Sequence, residues 1–395
     1  MDSKTRAGQK DVQMMRYLPV VEPQTITSVL NTWKEQHPEL GVCIFLPENL
    51  KDRVTDMQDC CRQLTIPLVG AIFPSLIHEG RFHQDGALLM GFPRMPYHAL
   101  YEAPGTDTSS IDDFVNRLSL DLRPRMGSTR DSTLFMLFDS MVPNIATLLD
   151  AIYLRLANRI HYAGANVGSE TFQPMPCLFD GDRFIGNGLL LMLLQPHRGA
   201  ILEHGYAAPE HCVYATSTDG NRISQIDWRP AFEVYQELMQ RQYGVAINQD
   251  NFYELAVHYP FGILRANHHV LVRIPVQLGE DGSLFCVGEI PPNSLLTLLE
   301  RPEVDSTQTL DKIEHSLKEL NGDLSDSDLL LFYCAGRRLH LGAETALTEI
   351  RALTDRLPQL QIHGAVSLGE IGGSTSWGYP LFHNATLVAM LWPHA

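Results

Sequence analysis

The stretch HGAVSLGEI at residues 363–371 decides the fold, because two other parts of the chain repeat its pattern. The relatives are VGAIFPSLI at 69–77 and AGANVGSET at 163–171, aligned on Gly70, Gly164 and Gly364, with alanine after each glycine. Glycine weakens a strand, so its recurrence at one register indicates that another backbone, or a ligand, comes close there. For any single copy, a tight turn is the alternative interpretation. Three copies favour a shared junction, at which three strand ends meet around a pocket.

The surroundings of the three copies also repeat. An amphipathic, helix-like stretch precedes each copy, an apolar run precedes each helix, and one further apolar run follows each copy. The helical stretches are residues 51–64, 142–157 and 344–357, and the apolar runs begin at residues 41, 133 and 329 before the helices and at 86, 188 and 385 after the copies. The sequence therefore predicts a mixed α/β (α+β) fold of repeated β-α-β-β units. Their first two strands should pair in parallel through a right-handed crossover, within mixed sheets flanked by helices.

The length and an interruption of the repeat predict two domains. A chain of 395 residues is too long for one ordinary core. Hairpin-like passages with Asp-Gly turns separate the second and third units, and a helix with proline in its first turn begins near Arg229. We therefore predict a domain boundary near Arg229.

The composition excludes several classes of function. The 46 acidic residues against 30 Lys and Arg give a formal net charge of -16, which disfavours nucleic acid and anionic membranes as partners. The first ten residues lack the apolar core of a signal peptide, so we expect a cytoplasmic protein. Seven cysteines without a C-x-x-C motif indicate reduced core residues rather than disulfides or a metal site.

Longer motifs carry a resemblance to a known family. They are DGNRISQIDWRPAFEVY (219–235), YPFGI (259–263), LVRIPVQLGEDGSLFCVGEIPPNS (271–294), LLLFYCAGRRLHLG (329–342), GAVSLGEIGG (364–373) and FHNATLVAML (382–391). In this order they resemble the FIST-domain proteins, whose name abbreviates F-box and intracellular signal transduction. The resemblance implies a sensory module with an N-terminal FIST domain at residues 29–228 and a C-terminal FIST domain at 229–395, which leaves residues 1–28 as an N-terminal extension. The division agrees with the boundary predicted near Arg229.

The resemblance also implies candidate ligands and partners. Stand-alone members of this size bind b-type haem and report nitric oxide to a histidine kinase or a cyclic-di-GMP enzyme, whereas others are proposed to sense small metabolites such as amino acids. We therefore expect a ligand-sensing signal-transduction protein with haem b as its cofactor, and a sensor of a small metabolite as the alternative. The oligomeric state stays open.

A haem site would need a neutral histidine as axial ligand. Strand alternation puts His161 on the face of Ala163, and the repeat register then makes His363 its equivalent, so these two are the first candidates. The others are His204, His211 and His383. A solvated or hydrogen-bonded imidazole is the simpler interpretation of any one of them. Arginines suit haem propionates or a ligand carboxylate because guanidinium is a planar fork; the candidates are Arg222, Arg265, Arg273, Arg337 and Arg338.

The glycine exits and one carboxylate form the predicted ligand pocket, namely Gly70, Gly164, Gly364, Gly369 and Glu370. Glu370 could accept hydrogen bonds from glycine amides or bind an amine or hydroxyl of a ligand, although a loop carboxylate is usually solvated. A less favoured alternative is an enzyme that uses Glu370 and a nearby histidine as acid and base. The chain has no P-loop, nucleophile elbow, dinucleotide fingerprint or H-E-x-x-H motif, so we expect no catalytic activity.

Overall fold

Three units of one architecture follow each other along the chain, and each contains one copy of the glycine repeat. A computed structural model describes residues 13–127, 131–206, 209–265, 270–299, 307–322, 324–325, 327–373 and 379–393. Each unit consists of an edge strand, a helix, a strand, a second helical segment, a second strand, a short hairpin and a third strand. The predicted mixed fold of repeated β-α-β-β units is confirmed, with helices flanking mixed sheets.

The first two units occupy the N-terminal half. The first comprises β1 (Met15–Leu18), α1 (Pro23–Gln36), β2 (Gly41–Pro47), α2 (Val54–Gln63), β3 (Leu68–Phe73), β4 (Leu76–His78), β5 (Arg81–His83) and β6 (Ala87–Phe92). The second comprises β7 (Tyr97–Glu102), α3 (Thr108–Leu122), β8 (Thr133–Asp139), α4 (Ile145–Leu156), β9 (His161–Val167), β10 (Leu178–Asp180), β11 (Phe184–Ile185) and β12 (Gly188–Leu194).

The third unit is interrupted after its edge strand. It begins with β13 (Ile201–Glu203), and then comes an insertion of β14 (Val213–Asp219), β15 (Arg222–Ile226), β16 (Arg229–Pro230), α5 (Ala231–Tyr243), α6 (Phe252–Ala256), β17 (Phe261–Leu264), β18 (Val270–Arg273), β19 (Pro275–Leu278), β20 (Leu284–Cys286) and β21 (Leu295–Leu298). The unit resumes with α7 (Thr307–Asn321), β22 (Ser327–Cys334), α8 (Ala335–Leu341), α9 (Ala343–Arg356), β23 (Gln361–Ser367), β24 (Glu370–Gly372), β25 (Leu381–His383) and β26 (Leu387–Pro393).

Each unit donates its hairpin to the sheet of another unit. The three sheets have the strand orders β1-β6-β2-β3-β10-β11, β7-β12-β8-β9-β24-β25 and β13-β26-β22-β23-β4-β5. The second unit's hairpin thus completes the first sheet, the third unit's completes the second, and the first unit's completes the third. The exchange runs in a closed circle, so the two halves of the chain share sheets.

Within each sheet the strands pair as the repeat predicts. The parallel pairs are β2 with β3, β8 with β9 and β22 with β23, and each third strand runs antiparallel to the first strand of its unit. These central strands are continuous apolar runs because both faces of the sheets are covered. Phe332 of the third sheet lies 6.1 Å from Phe45 and 6.0 Å from Phe135, measured between ring centroids. The three sheets therefore pack against one another around a common core.

The insertion forms an eight-stranded antiparallel sheet with a buried cluster of its own beneath α5 and α6. At the other end of the described chain, β1 lies within the predicted N-terminal extension but pairs with β6 as an edge strand of the first sheet. The first twelve residues of that extension lie outside the described residues. None of the helices in the described residues combines the length and apolarity that crossing a bilayer requires.

Candidate functional site

The three repeat glycines lie where two backbones touch. A Cβ atom added at Gly364 would lie 1.8 Å from the carbonyl oxygen of Leu331, and one at Gly164 would lie 1.9 Å from that of Met136. At Gly70 the same atom would meet the Ile44 oxygen at 2.2 Å. These partners are the opposite residues on the parallel neighbouring strands. The glycines are needed for close backbone approach, and the expected open hollow at their Cβ positions is filled by protein.

Backbone hydrogen bonds two residues after each glycine hold the donated hairpins. The N–H groups of Ile72, Asn166 and Val366 donate to the carbonyls of Cys177, Gly369 and Ser75, at 2.8, 2.7 and 2.8 Å. Each acceptor belongs to the segment that leads into or out of a donated hairpin. The glycine repeat therefore marks the junction of the three units, as the alignment predicted, and the junction is hydrogen-bonded and packed.

A second set of bonds joins the strand ends directly. The Gly168 N–H donates to the backbone carbonyl of Ile72 at 2.9 Å, and the Leu368 N–H donates to the backbone carbonyl of Asn166 at 3.0 Å. The equivalent position in the first unit is Pro74, which has no N–H to donate. Bonds of this second set therefore join the first unit to the second and the second to the third, whereas Pro74 cannot donate the corresponding bond between the first and the third.

Glu370 is completely buried beside this junction. Its carboxylate accepts hydrogen bonds from the hydroxyls of Ser367 at 2.5 Å and Thr386 at 2.6 Å. Burial raises the pKa of Glu370 to about 7, although the bonds from Ser367, Thr386 and the Cys334 thiol act in the opposite direction. Gly369 is equally enclosed, since a Cβ there would lie 2.5 Å from the Phe382 ring. The Glu370 carboxyl is thus buried in the core and titrates near neutral pH.

Replacing Glu370 with glutamine is expected to flatten the dependence of stability on pH. The folded wild type holds its proton up to about pH 7 whereas the unfolded chain releases it near pH 4.5, so wild-type stability falls as the pH rises between these values. Relative to wild type, the variant should gain about 3 kcal/mol in unfolding free energy between pH 4.5 and pH 8. Urea denaturation at several pH values measures this. The exposed Glu280→Gln is the control, and a difference that does not change with pH would contradict the assignment.

The two first-choice histidines lie in different places. His363 is buried in β23, and its Nδ1 lies 3.2 Å from Nδ1 of His78, which the donated strand β4 places opposite it. Burial and, to a smaller extent, the neighbouring His78 lower the pKa of His363 to about 4. His161 is buried at the start of β9 and packs against Gly199. Within the described residues, no set of three His, Cys, Asp or Glu side chains is placed to hold a metal ion.

The remaining predicted residues are also dispersed. Nδ1 of His204 accepts the Tyr206 N–H at 2.9 Å, His211 is exposed beside Arg241, and His383 is buried opposite Glu370 in the β24–β25 hairpin. Arg337 donates to both carboxylate oxygens of the buried Glu349, at 2.8 and 2.6 Å. Arg337 therefore serves an internal ion pair.

A large cavity lies at the end of the sheets opposite the glycine exits. It has a volume of about 860 Å³ and is lined by residues 91–98, Arg125, residues 193–197 and Trp392. Phe92, Leu194 and Trp392 lie at or next to the last residue of the third strand of each unit, and they pair with residues at the start of the first strand of the parallel pair. The cavity, which we call the cleft, is therefore built on the amino ends of the parallel strands, whereas the glycine exits lead to the carboxyl ends.

Polar groups of the cleft stand among apolar and aromatic ones. Nδ1 of His98 lies 3.0 Å from the Pro96 carbonyl, which can only accept, so His98 carries its proton on Nδ1 and a lone pair on Nε2. His197 has both nitrogens engaged, at 2.8 Å to the Thr133 hydroxyl and 2.8 Å to the Leu391 carbonyl, and burial lowers its pKa to about 4. The Arg125 guanidinium lies 4.4 Å above the Tyr97 ring.

The sequence did not predict the cleft, although its apolar runs predicted the strands that build it. One signal was available: the third apolar runs end at equivalent positions, and a proline follows each run within two residues, at Pro93, Pro196 and Pro393. Proline directly after a strand indicates a loop that leaves the sheet. Nothing local distinguishes His98 from the other histidines.

Comparison with known proteins agrees with this architecture. The FIST N domain matches residues 41–229, and the FIST C domain matches residues 231–373. No curated protein matches the chain. FIST domains are sensory signal-transduction domains without catalytic activity. Since the two matches together cover most of the 395 residues, the chain belongs to the FIST-domain family of sensory proteins.

Proposed function

We propose that this protein is a sensor whose ligand binds in the cleft and whose state is read by a separate signalling enzyme. The observation that carries the proposal is a cavity of about 860 Å³ whose apolar walls contain a few polar groups, which is typical of small-molecule sites. Its walls include the last residues of the third strand of every unit. An occupant would therefore touch all three sheets, through residues 91–98, Arg125 and residues 193–197 of the FIST N match and through Trp392 of the third unit.

Haem b is the first candidate occupant, and the residues of the cleft fit it. His98 has the arrangement of a metal-binding histidine, because its Nδ1–H is held by a backbone carbonyl and Nε2 keeps the lone pair. Arg94 and Arg125 line the same cleft and suit propionates. Haem would supply an iron that binds nitric oxide, while this chain supplies the axial nitrogen, an apolar wall and cations for the carboxylates.

The histidines chosen from the sequence remain alternative ligands. His161, His363, His204, His211 and His383 are absent from the cleft lining. For His363, a role in binding iron would require breaking its contact with His78. His98 replaces them as our first choice for the axial ligand.

A small metabolite bound without haem is the second candidate. The two guanidiniums and the aromatic rings of Phe92, Tyr97 and Trp392 would suit an organic anion with an apolar body. For either ligand, signalling requires that it bind two states of the protein with different affinity. A histidine kinase or a cyclic-di-GMP enzyme as the reader, and a cytoplasmic location, rest on the family resemblance and the sequence.

An absorption spectrum tests the haem version. Protein made with haem supplied should show a Soret band that shifts with nitric oxide, and His98→Ala should abolish or shift the band. His363→Ala and His161→Ala are matched controls that should keep the wild-type spectrum. A missing Soret band would reject haem, and loss of the band only in the two controls would reject His98.

A second variant tests the cleft itself, whichever ligand it binds. Leu194 lines the cleft at the end of β12, so Leu194→Trp should fill part of it and weaken ligand binding at least tenfold. The measurement is titration with haem, or with a panel of organic acids followed by thermal shift. If ligand binding survives unchanged in folded Leu194→Trp, the ligand does not bind in the cleft.

A further inference from the structure

A smaller cavity of about 70 Å³ lies between α4, the inserted sheet and the donated strand β25, apart from the cleft. Two arginines and two carboxylates line it, namely Arg265, Arg273, Asp150 and Glu289. Arg273 ends β18 and is only 2% exposed, whereas Arg265 and Asp150 are exposed. The cavity therefore has a buried cationic residue in its wall and an exposed arginine on its solvent side.

The hydrogen bonds of the buried Arg273 guanidinium go to backbone carbonyls. Its Nε donates to the Glu289 carbonyl at 2.9 Å, and its Nη1 donates to the carbonyls of Val272 at 2.9 Å and Phe382 at 3.0 Å. Among the described residues, no carboxylate hydrogen-bonds to Arg273 and no group accepts from its Nη2. Buried charges in proteins are normally paired, because an unpaired charge loses its hydration without compensation.

The two nearby carboxylates are engaged elsewhere. Glu289 accepts from the backbone N–H of Thr147 at 3.0 Å and also from the Thr147 hydroxyl, so it caps the start of α4. Asp150 accepts from the hydroxyl of Tyr379. Burial, with a smaller contribution from Arg265, lowers the pKa of Arg273 to about 10, although Cys286 and the Glu289 charge act in the opposite direction. The positive charge at Arg273 is thus incompletely balanced by the protein.

We propose that this cavity binds a small planar oxyanion, of the carboxylate class, between Arg273 and Arg265. The Nη2 atom of Arg273 keeps two N–H donors for an anion oxygen, and Arg265, which lines the same cavity, offers a planar guanidinium fork to the same anion. The 70 Å³ volume equals about two water molecules at about 30 Å³ each, which suits a group of three or four heavy atoms and excludes larger anions. The site is independent of the cleft.

The position of the site gives it a structural consequence. Arg273 belongs to the insertion, Phe382 to the hairpin that completes the second sheet, and the Glu289 carboxylate binds the start of α4. An anion on Arg273 would therefore stabilise the contact between the inserted sheet and the second unit. Binding should raise the melting temperature of the whole protein.

Thermal unfolding in acetate tests the proposal. Acetate should replace a bulky morpholino sulfonate at constant ionic strength and pH, so that only the size of the anion changes. We expect the melting temperature to rise by about 2 °C or more and to level off as the site saturates. Equilibrium dialysis with radiolabelled acetate should give one acetate per chain. An unchanged melting temperature together with no bound acetate would overturn the proposal.

Variants of the two arginines locate the site. Arg265→Gln lies at the exposed side and should fold normally but bind acetate about tenfold more weakly. Arg273→Lys keeps the charge without the planar fork and should also weaken binding. The exposed Arg229→Gln, in the same sheet, is the control and should bind as wild type. Equal acetate binding in Arg265→Gln, Arg273→Lys and the control would place the anion elsewhere and reject the site.

Discussion

Arg337→Ala is expected to lower the free energy of unfolding by about 3–5 kcal/mol, because it leaves the Glu349 carboxylate buried without its cation. The two side chains are 2% and 1% exposed and share two hydrogen bonds. The Tyr333 hydroxyl donates to the same carboxylate at 2.7 Å, and Arg337 also binds the carbonyls of His204 and Ala385. Removing the arginine therefore breaks bonds to three segments of the chain. Urea denaturation measures the loss.

Two comparisons separate this ion pair from an ordinary one. The surface pair of Arg356 and Asp311 is partly exposed, so Arg356→Ala should cost no more than about 1 kcal/mol. The double variant Arg337→Met with Glu349→Leu removes both charges and should recover much of the stability lost in Arg337→Ala. If Arg337→Ala costs no more than Arg356→Ala, the buried pair does not have the structural role assigned to it.

Gly364→Ala is expected to destabilise the protein by about 3 kcal/mol or more, or to prevent folding. The added methyl would lie 1.8 Å from the Leu331 carbonyl oxygen, and that oxygen belongs to the paired strand and cannot rotate away. The strands would have to separate at the junction of the three units. Gly164→Ala should behave in the same way, since its Cβ would lie 1.9 Å from the Met136 oxygen.

Gly181→Ala is the matched control for these glycines. No atom lies within 4 Å of the Cβ position at Gly181, so the substitution should leave stability unchanged within about 1 kcal/mol. Chemical denaturation of the variants against wild type gives the comparison. Similar stabilities for Gly364→Ala and Gly181→Ala would contradict the close backbone approach at the repeat.

Local pattern predicted the elements of the fold well. The strands at Gly41–Pro47 and Gly188–Leu194 begin and end where the apolar runs do, because each run is bounded by polar or breaking residues. The helices α2 and α4 before the first two repeat copies lie within the predicted stretches, and α9 begins one residue before its predicted stretch. The glycine alignment located the junction of the units, since only a glycine tolerates so close a carbonyl.

The sequence did not predict which strands that are far apart in the chain pair with each other. His78 pairs with His363, 285 residues away, and nothing in the short runs around β4 specifies that partner. The cleft could not be predicted for the same reason, because three strand ends and a loop that are distant in the chain form it. Burial likewise decided the roles of Glu370 and Arg337, and burial of a single polar residue leaves no periodic signal. The domain boundaries at residues 28 and 228 stay predictions.

The circular donation of hairpins makes the three units mutually dependent. No unit completes its own sheet, so a displacement of any one moves a strand that belongs to its neighbour, and the last unit returns the displacement to the first. In this arrangement each unit is coupled through a shared sheet to both of the others. Any switch between two states has to be concerted, with all three units changing together or none.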